Sequence, residues 1–546
     1  MKPLLWRGAE LIGLFAVILI VAVAAVRLAA PLLAGQRETI ETLVSMTIGR
    51  PVSIGAIAAE WHGLSPHLIL CDVEVLDDDR KPALGFKVAY ATLDVTGTLF
   101  SRHLKLRELD LVGANIHLVR ETSGRISVRG VTLRPRAGLK DLNDFVLTLS
   151  ASRVRWEDHR LDVDYQFSGV KAAFNIQSEQ HHLAAVLNLP PELGGHLRAA
   201  ADLQGTLGEP ATWQGSAYLK ANAVQVANLP EALRTYLAGG QTTGEVWSDW
   251  QDGTVVNSLG NVSVKHASLA DPRTLAHTSD IDHLRTRFLW QTRSQGWALQ
   301  LTNLALSRAG RHWVSDTDSF RYRPRPKGKG FFSGAFSYAR VEDLVALLLR
   351  TGKVDAGFAA KLAERSPAGE LADVQFNAHL QNGHIKNYAA KGNFRGLSLN
   401  PTAEMPGFTG ADGRFTLNQA AGVVDLTTRN LEIVHPRLFA NRLPINYLQG
   451  GLSWRREAHV TLVDAPALAF GNEDVKAQGR IALRLEASSP HLIMRLSLSE
   501  GKVAHAARYL PVKAMRSETY EWLKRALVAG RLTEGDVAFN GDIADF

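Results

Sequence analysis

The chain has 546 residues, 46% of them hydrophobic and 21% charged, proportions that exclude both a disordered chain and a multi-span membrane protein. Its 61 Lys and Arg against 54 Asp and Glu leave a net charge of +7, too dilute over this length to define a nucleic-acid surface. The single cysteine, Cys71, excludes an intrachain disulfide and a Cys-based zinc or iron–sulfur site.

In chain order, the first element is an apolar run. Leu11 to Val26 carries no charge, and with Arg27 snorkelling the run continues through Leu33. Helical residues rise ~1.5 Å each, so this segment covers ~34 Å, enough for a hydrocarbon core of ~30 Å. Leu11, Phe15, Ile18 and Val26 are the expected membrane-facing anchor residues. Lys2 and Arg7 precede them, which keeps the N-terminus cytoplasmic and sends the rest across the membrane. A cleaved signal peptide is the rival reading, through the A-x-A pattern Ala22-Val23-Ala24. The expected organisation is residues 1–35 as cytoplasmic stub and anchor, 36–135 as a first β region, and 136–546 as a continuing repetitive β body.

Beyond the anchor the dominant period is two. From Val475, one face reads Val475, Ala477, Gly479, Ile481, Leu483, Leu485 and the other Lys476, Gln478, Arg480, Ala482, Arg484, Glu486. Such alternation means a strand with one apolar and one wet face. Met494, Leu496 and Leu498 share a face on the next run, then Val537 and Phe539, and similar patterns occur at Val424–Leu426 and Leu448–Trp454. Turn residues separate runs about every 10–15 residues, the signature of an antiparallel meander. Helices are expected at Gln36–Gly49, Leu229–Leu237, Val341–Arg350 and Glu518–Val528, the last with Ser517 as N-cap.

So many one-sided strands need cover for their apolar faces, and the helices are few. Either two sheets face each other, or one long curved sheet holds something apolar; the lack of linkers and composition shifts favours the second.

The order of several local motifs carries a resemblance. Trp61-His62-Gly63-Leu64-Ser65-Pro66, followed by Leu68-Ile69-Leu70 and Val73-Glu74-Val75-Leu76-Asp77, resembles the start of AsmA-like proteins, as do Ala91–Val95, Leu109–Gly113 and Gly124-Arg125. Gly244-Glu245-Val246-Trp247 with Trp250, and Tyr509-Leu510-Pro511 with Met515, Trp522-Leu523 and Ala526-Leu527, resemble the YhdP branch of that family. The resemblance implies a mainly β protein: an N-terminal transmembrane helix, then an elongated antiparallel sheet curled into a hydrophobic groove. It implies an inner-membrane, single-pass protein with its body in the periplasm, moving phospholipid toward the outer membrane of Gram-negative bacteria. Partners would be phospholipid and the inner membrane, with outer-membrane or periplasmic proteins as candidates and no nucleic acid. The groove would be lined by Val475, Ile481, Leu483, Leu485, Met494, Leu496, Leu498, Val537 and Phe539. The alternative is a TamB-like assembly factor for outer-membrane proteins. YhdP-like chains are usually much longer, so a C-terminal truncation within the alternating run at Val537–Ile543 is expected.

No catalytic, cofactor or metal site is expected. G-x-S-x-G, H-E-x-x-H, G-x-x-x-x-G-K-[ST] and G-x-G-x-x-G are all missing from the sequence. His181-His182 would point to opposite faces of a strand, and Asp77-Asp78-Asp79 reads as a hairpin tip. The basic run Arg321–Lys329 reads as a solvated, Pro-protected edge or loop, with a phosphate contact as the functional alternative.

Overall fold

The computed structural model describes residues 37–48, 50–62, 65–76, 82–94, 97, 105–122, 126–129, 145–177, 180–206, 210–231, 237–269, 279–350, 356–403, 405–457, 459–486, 490–513 and 515–542. Strands make up 71% of these residues. The anchor residues Leu11, Phe15, Ile18 and Val26, the Asp77-Asp78-Asp79 tip and the expected boundary at 135/136 lie outside the described residues. The chain resolves into two compact units, Met1–Ser268 and Leu269–Phe546.

In the first unit the helix Arg37–Ile48 lays Ile40 and Val44, four residues apart, on a core of Val52, Ile54, Ile57, Leu70, Val73 and Val75. Glu41 fixes the docking by accepting the Ile54 amide at 2.7 Å and the Arg37 guanidinium at 3.1 Å. Strands Val52–His62, Ser65–Leu76 and Pro82–Leu93 follow as an antiparallel meander. The expected purely antiparallel order then fails. Leu106–Val112 and Asn115–Arg120 both run parallel to Phe145–Asp158. Parallel pairing needs a long crossover, and the intervening segment, with Ile126–Val128 paired back on Leu118–Arg120, supplies its length. From Phe145 onward antiparallel hairpins resume through Gln214–Gln225 and Leu237–Gln251.

The second unit is a simpler ladder. Each described strand from Ser279–Arg293 to Arg531–Asp542 pairs antiparallel with the next. Tight two-residue turns join several of them; at Asn382-Gly383 both residues have positive φ, 51° and 80°, as a type I′ hairpin matched to strand twist requires.

Bulges recur through both units, and buried hydroxyls repair the backbone pairing they interrupt. Ser152 Oγ accepts the Ala114 amide at 3.0 Å beside the break at Leu149/Ser152. Ser315 Oγ accepts the Tyr338 amide at 3.0 Å, and Thr428 Oγ1 both accepts from and donates to the Asp412 backbone at 3.0 Å. All three side chains are 1% exposed. A bulge bends its strand and raises the local twist, and at these three positions the hydroxyl gives an interrupted backbone group a partner.

The helices Val341–Arg350 and Ser517–Ala526 form where the periodicity placed them, and Ala356–Arg365 is an addition. Ser517 is the first helical residue rather than the N-cap: Arg516 holds that position, with no side-chain cap bond. The basic run is solvated, as expected, and ends in the turn Pro326–Gly328, but its first half belongs to a paired strand rather than an edge. Arg311–Arg325 pairs on both sides, and Pro324 is tolerated because the neighbour on one side begins only at Gly296, opposite the residues just before it.

Candidate functional site: an apolar face with a level floor

Strand pairing decides which side chains share a face. One cross-strand row of the second unit reads Gly413, Leu426, Gly450, Leu468, Gly479, Leu496, Val537. Large and absent side chains alternate, and the large ones lean over the gaps. A Cβ placed on Gly450 would meet Leu468 Cδ2 at 2.9 Å, and one on Gly413 would meet Phe394 Cζ at 2.9 Å. Two rows further along the same face the arrangement recurs: Gly422 lies beneath Trp454, whose ring would stand 2.2 Å from an added Cβ. At these positions a large apolar side chain covers the gap that its glycine neighbour leaves.

This face continues among aromatic rings toward the start of the unit. Trp290 stacks on Trp297 with centroids 4.9 Å apart, and Phe332 lies 5.7 Å from Phe376. Within it, a cavity of about 520 Å³ is lined only by apolar residues, among them Leu371, Phe394, Phe415, Leu426, Leu448 and Trp454. That volume falls within the ~300–1,000 Å³ typical of ligand sites. Phe394, Ala411 and Leu431, buried and packed together, form the deepest part of its lining.

Nearby, the helix Val341–Arg350 roofs a second hollow of about 300 Å³ lined by Leu304, Trp313, Phe320 and Leu347. The buried Asp343 anchors this helix, accepting the Trp313 indole and the Arg308 guanidinium at 2.8 Å each. Asp318 also lines the hollow, 2% exposed, held by the Ser315 hydroxyl at 2.5 Å and the Ser337 amide at 3.3 Å. Burial pushes its carboxyl above the usual range, outweighing those two hydrogen bonds.

The structure brings most of the sequence-predicted lining residues together. Ile481, Met494 and Phe539 stand side by side, as do Leu496 and Val537. Leu483 pairs with Val463 and Leu492. Leu498 neighbours Ala477, and Leu485 lies further out at 37% exposure. Val475 does not belong: it lies in the turn before the strand, its amide bonded to Asn472 Oδ1, because Asn472 closes a local loop there. Phe394, Phe415 and Leu468 were missed; each occupies an alternating position, but glycines and bulges break the period around them.

The quoted motifs turn out to be joints. Tyr509 Oη donates to Asp474 Oδ2 at 2.9 Å, and His505 Nδ1 lies 2.5 Å from Asp474 Oδ1. Burial pushes the Asp474 carboxyl up, but His505, Tyr509 and Arg508 outweigh it and hold the group below the usual range. Glu245 collects Tyr218, Asn261 and Lys220, while the Trp247 ring packs against Tyr218 at a tilt of 43°, centroids 5.0 Å apart. His181 and His182 separate as expected, one buried on the Gly205 carbonyl and the other on Asp202.

With this geometry established, a family model described as YhdP protein matches residues 2–546. The chain belongs to the YhdP family. No curated protein and no solved structure matches it. A long, one-sided β ladder in a YhdP-family chain fits a bridge-like lipid transport protein. Among the described residues no helix is long and apolar enough to cross a membrane.

Proposed function

We propose that this YhdP-family chain carries phospholipid, with acyl tails against the apolar face and headgroups toward water, on the way to the outer membrane. The chain acts as a conduit rather than an enzyme, held at the inner membrane by residues 11–33 with its body in the periplasm. The observation that carries the reading is the alternating row from Gly413 to Val537. Acyl chains need no specific hydrogen bonds, so a continuous apolar surface suffices to shield them and lets them slide. Supporting it, wet and apolar faces stay segregated: Arg480 meets Asp464 at 2.9 Å and Lys476 meets Glu500 at 2.7 Å on the opposite side.

The test is mass spectrometry of lipid retained by the full chain purified from membranes, beside Leu426→Asp and Leu483→Asp. Phospholipid bound by the parent and depleted in folded variants supports the proposal. Equal lipid in all three, or none above a detergent control, refutes it. Loss of one outer-membrane barrel with normal lipid balance would favour an assembly factor.

A further inference from the structure

On the opposite face of the second unit a concavity of about 660 Å³ opens, and no carboxylate lines it. Two cross-strand rows form its floor. One reads Gln300, Ser319, Ala335, Gln375, Lys391; the other reads Gln291, Ala298, Arg321, Ser333, Asn377. The hollow exists because small residues alternate with long ones, so Ala298, Ser319, Ser333 and Ala335 leave room between the amides. Arg293 stands at one end, oriented by the Gln291 amide oxygen, and Phe331 supplies a wall, its ring 5.1 Å from His379.

Some basic groups of the wet surface are compensated by acids, as Arg155 is by Asp164, Lys220 by Glu245 and Arg480 by Asp464. Among the described residues, Arg321 and Lys391 form no ion pair and donate to no side chain. Uncompensated cations in a hollow free of acids favour an anion. The amides and hydroxyls between them suit hydroxyl groups, and an aromatic wall suits the apolar face of a sugar ring. The backbones of Arg321 and Lys391 are separated by three strand steps, about 14 Å at ~4.8 Å per step, a floor long enough for an extended ligand to lie between them.

We infer that this hollow is a binding site for an elongated, hydroxyl-rich anion, a phosphorylated sugar or polyol, with Arg293 and Arg321 on the phosphate and Lys391 at the far end. The polar side chains of its two floor rows alternate along their strands with those of the apolar face. The same chemistry is offered by a soluble sugar phosphate and by a glycerophosphate headgroup in a bilayer, and the experiment separates them.

The full chain in nanodiscs of neutral lipid is titrated calorimetrically with glucose 6-phosphate, glucose and inorganic phosphate, and separately mixed with phosphatidylglycerol vesicles. Glucose 6-phosphate should bind more tightly than either fragment. Arg321→Gln with Lys391→Gln should weaken it about tenfold or more, as loss of charge-assisted hydrogen bonds does. Lys386→Gln, on an exposed hairpin, should leave it unchanged. Hydrogen exchange should slow on strands Arg311–Arg325 and Lys329–Arg340. Vesicle binding that needs Arg321 and Lys391 in the same way assigns the source to a lipid headgroup and keeps the site. No binding of either probe, or binding indifferent to the double variant, overturns the inference.

Discussion

Leu426→Asp and Leu431→Asp, five residues apart on one strand, should behave very differently. Leu431 is 4% exposed and packs with Phe394 and Ala411. Truncating such a leucine costs about 2–5 kcal/mol, and an unpaired buried carboxylate adds several more. The sum approaches the ~5–15 kcal/mol that holds a whole domain, so the surrounding strands should melt. Leu426 lines the same cavity of about 520 Å³ as Leu431 but is only partly buried, with Gly413 and Gly450 as cross-strand neighbours. Full burial of a leucine is worth ~1.5–3 kcal/mol, so partial burial puts its loss at about 1–2 kcal/mol. Water can enter the open trough and hydrate the new carboxylate. Hydrogen exchange of the full chain, followed on Gly407–Asn418, Ala421–Val434 and Leu443–Glu457, reads both effects locally. Protection should survive in Leu426→Asp and collapse in Leu431→Asp. Equal collapse would show that the trough is a closed core, and the reasoning would fail.

Asp318→Asn should raise the melting temperature at neutral pH. Its carboxyl is pushed up in the fold, so its favourable contribution is present when protonated, below about pH 4, and is lost as pH rises through the raised value. The variant's advantage should therefore shrink in acid; an advantage that grows there contradicts the assignment. Tyr509→Phe removes a hydrogen bond to an ionised Asp474 and should cost about 1.5–3 kcal/mol in the turn Val503–Tyr509. Because the Asp474 carboxyl is held low, that stabilisation is present above about pH 4 and fades as pH falls through the lowered value. A pH-independent loss would argue against the cluster.

Period-two alternation made the strands Lys476–Leu485, His491–Lys502 and Arg531–Asp542 and the face shared by Ile481, Met494 and Phe539 legible in advance, because their pairing runs in register around those residues. It failed where local chemistry overrides it. Asn472 turned Val475 out of its strand, and the parallel pairing of Leu106–Val112 depends on long-range closure that no local pattern encodes. The helix Ala356–Arg365 escaped notice because alanines at its centre blur the apolar stripe. The buried hydroxyls Ser152, Ser315 and Thr428 were illegible for the opposite reason: a polar residue at an inward position reads as an error in the pattern until the bulge it repairs is seen. The polar hollow was invisible as well, since Arg321 and Lys391 are 70 residues apart and meet only through strand register.

The central claim, that the apolar face carries acyl chains, is tested most directly by photocrosslinking in living membranes. A photoreactive residue is placed at 426 or 483 on the apolar face, and at 425 or 484, whose side chains point the other way. Lipid adducts at 426 and 483 without adducts at 425 and 484 are the predicted result. Equal labelling of the two faces, or no lipid adduct at any position, would contradict it.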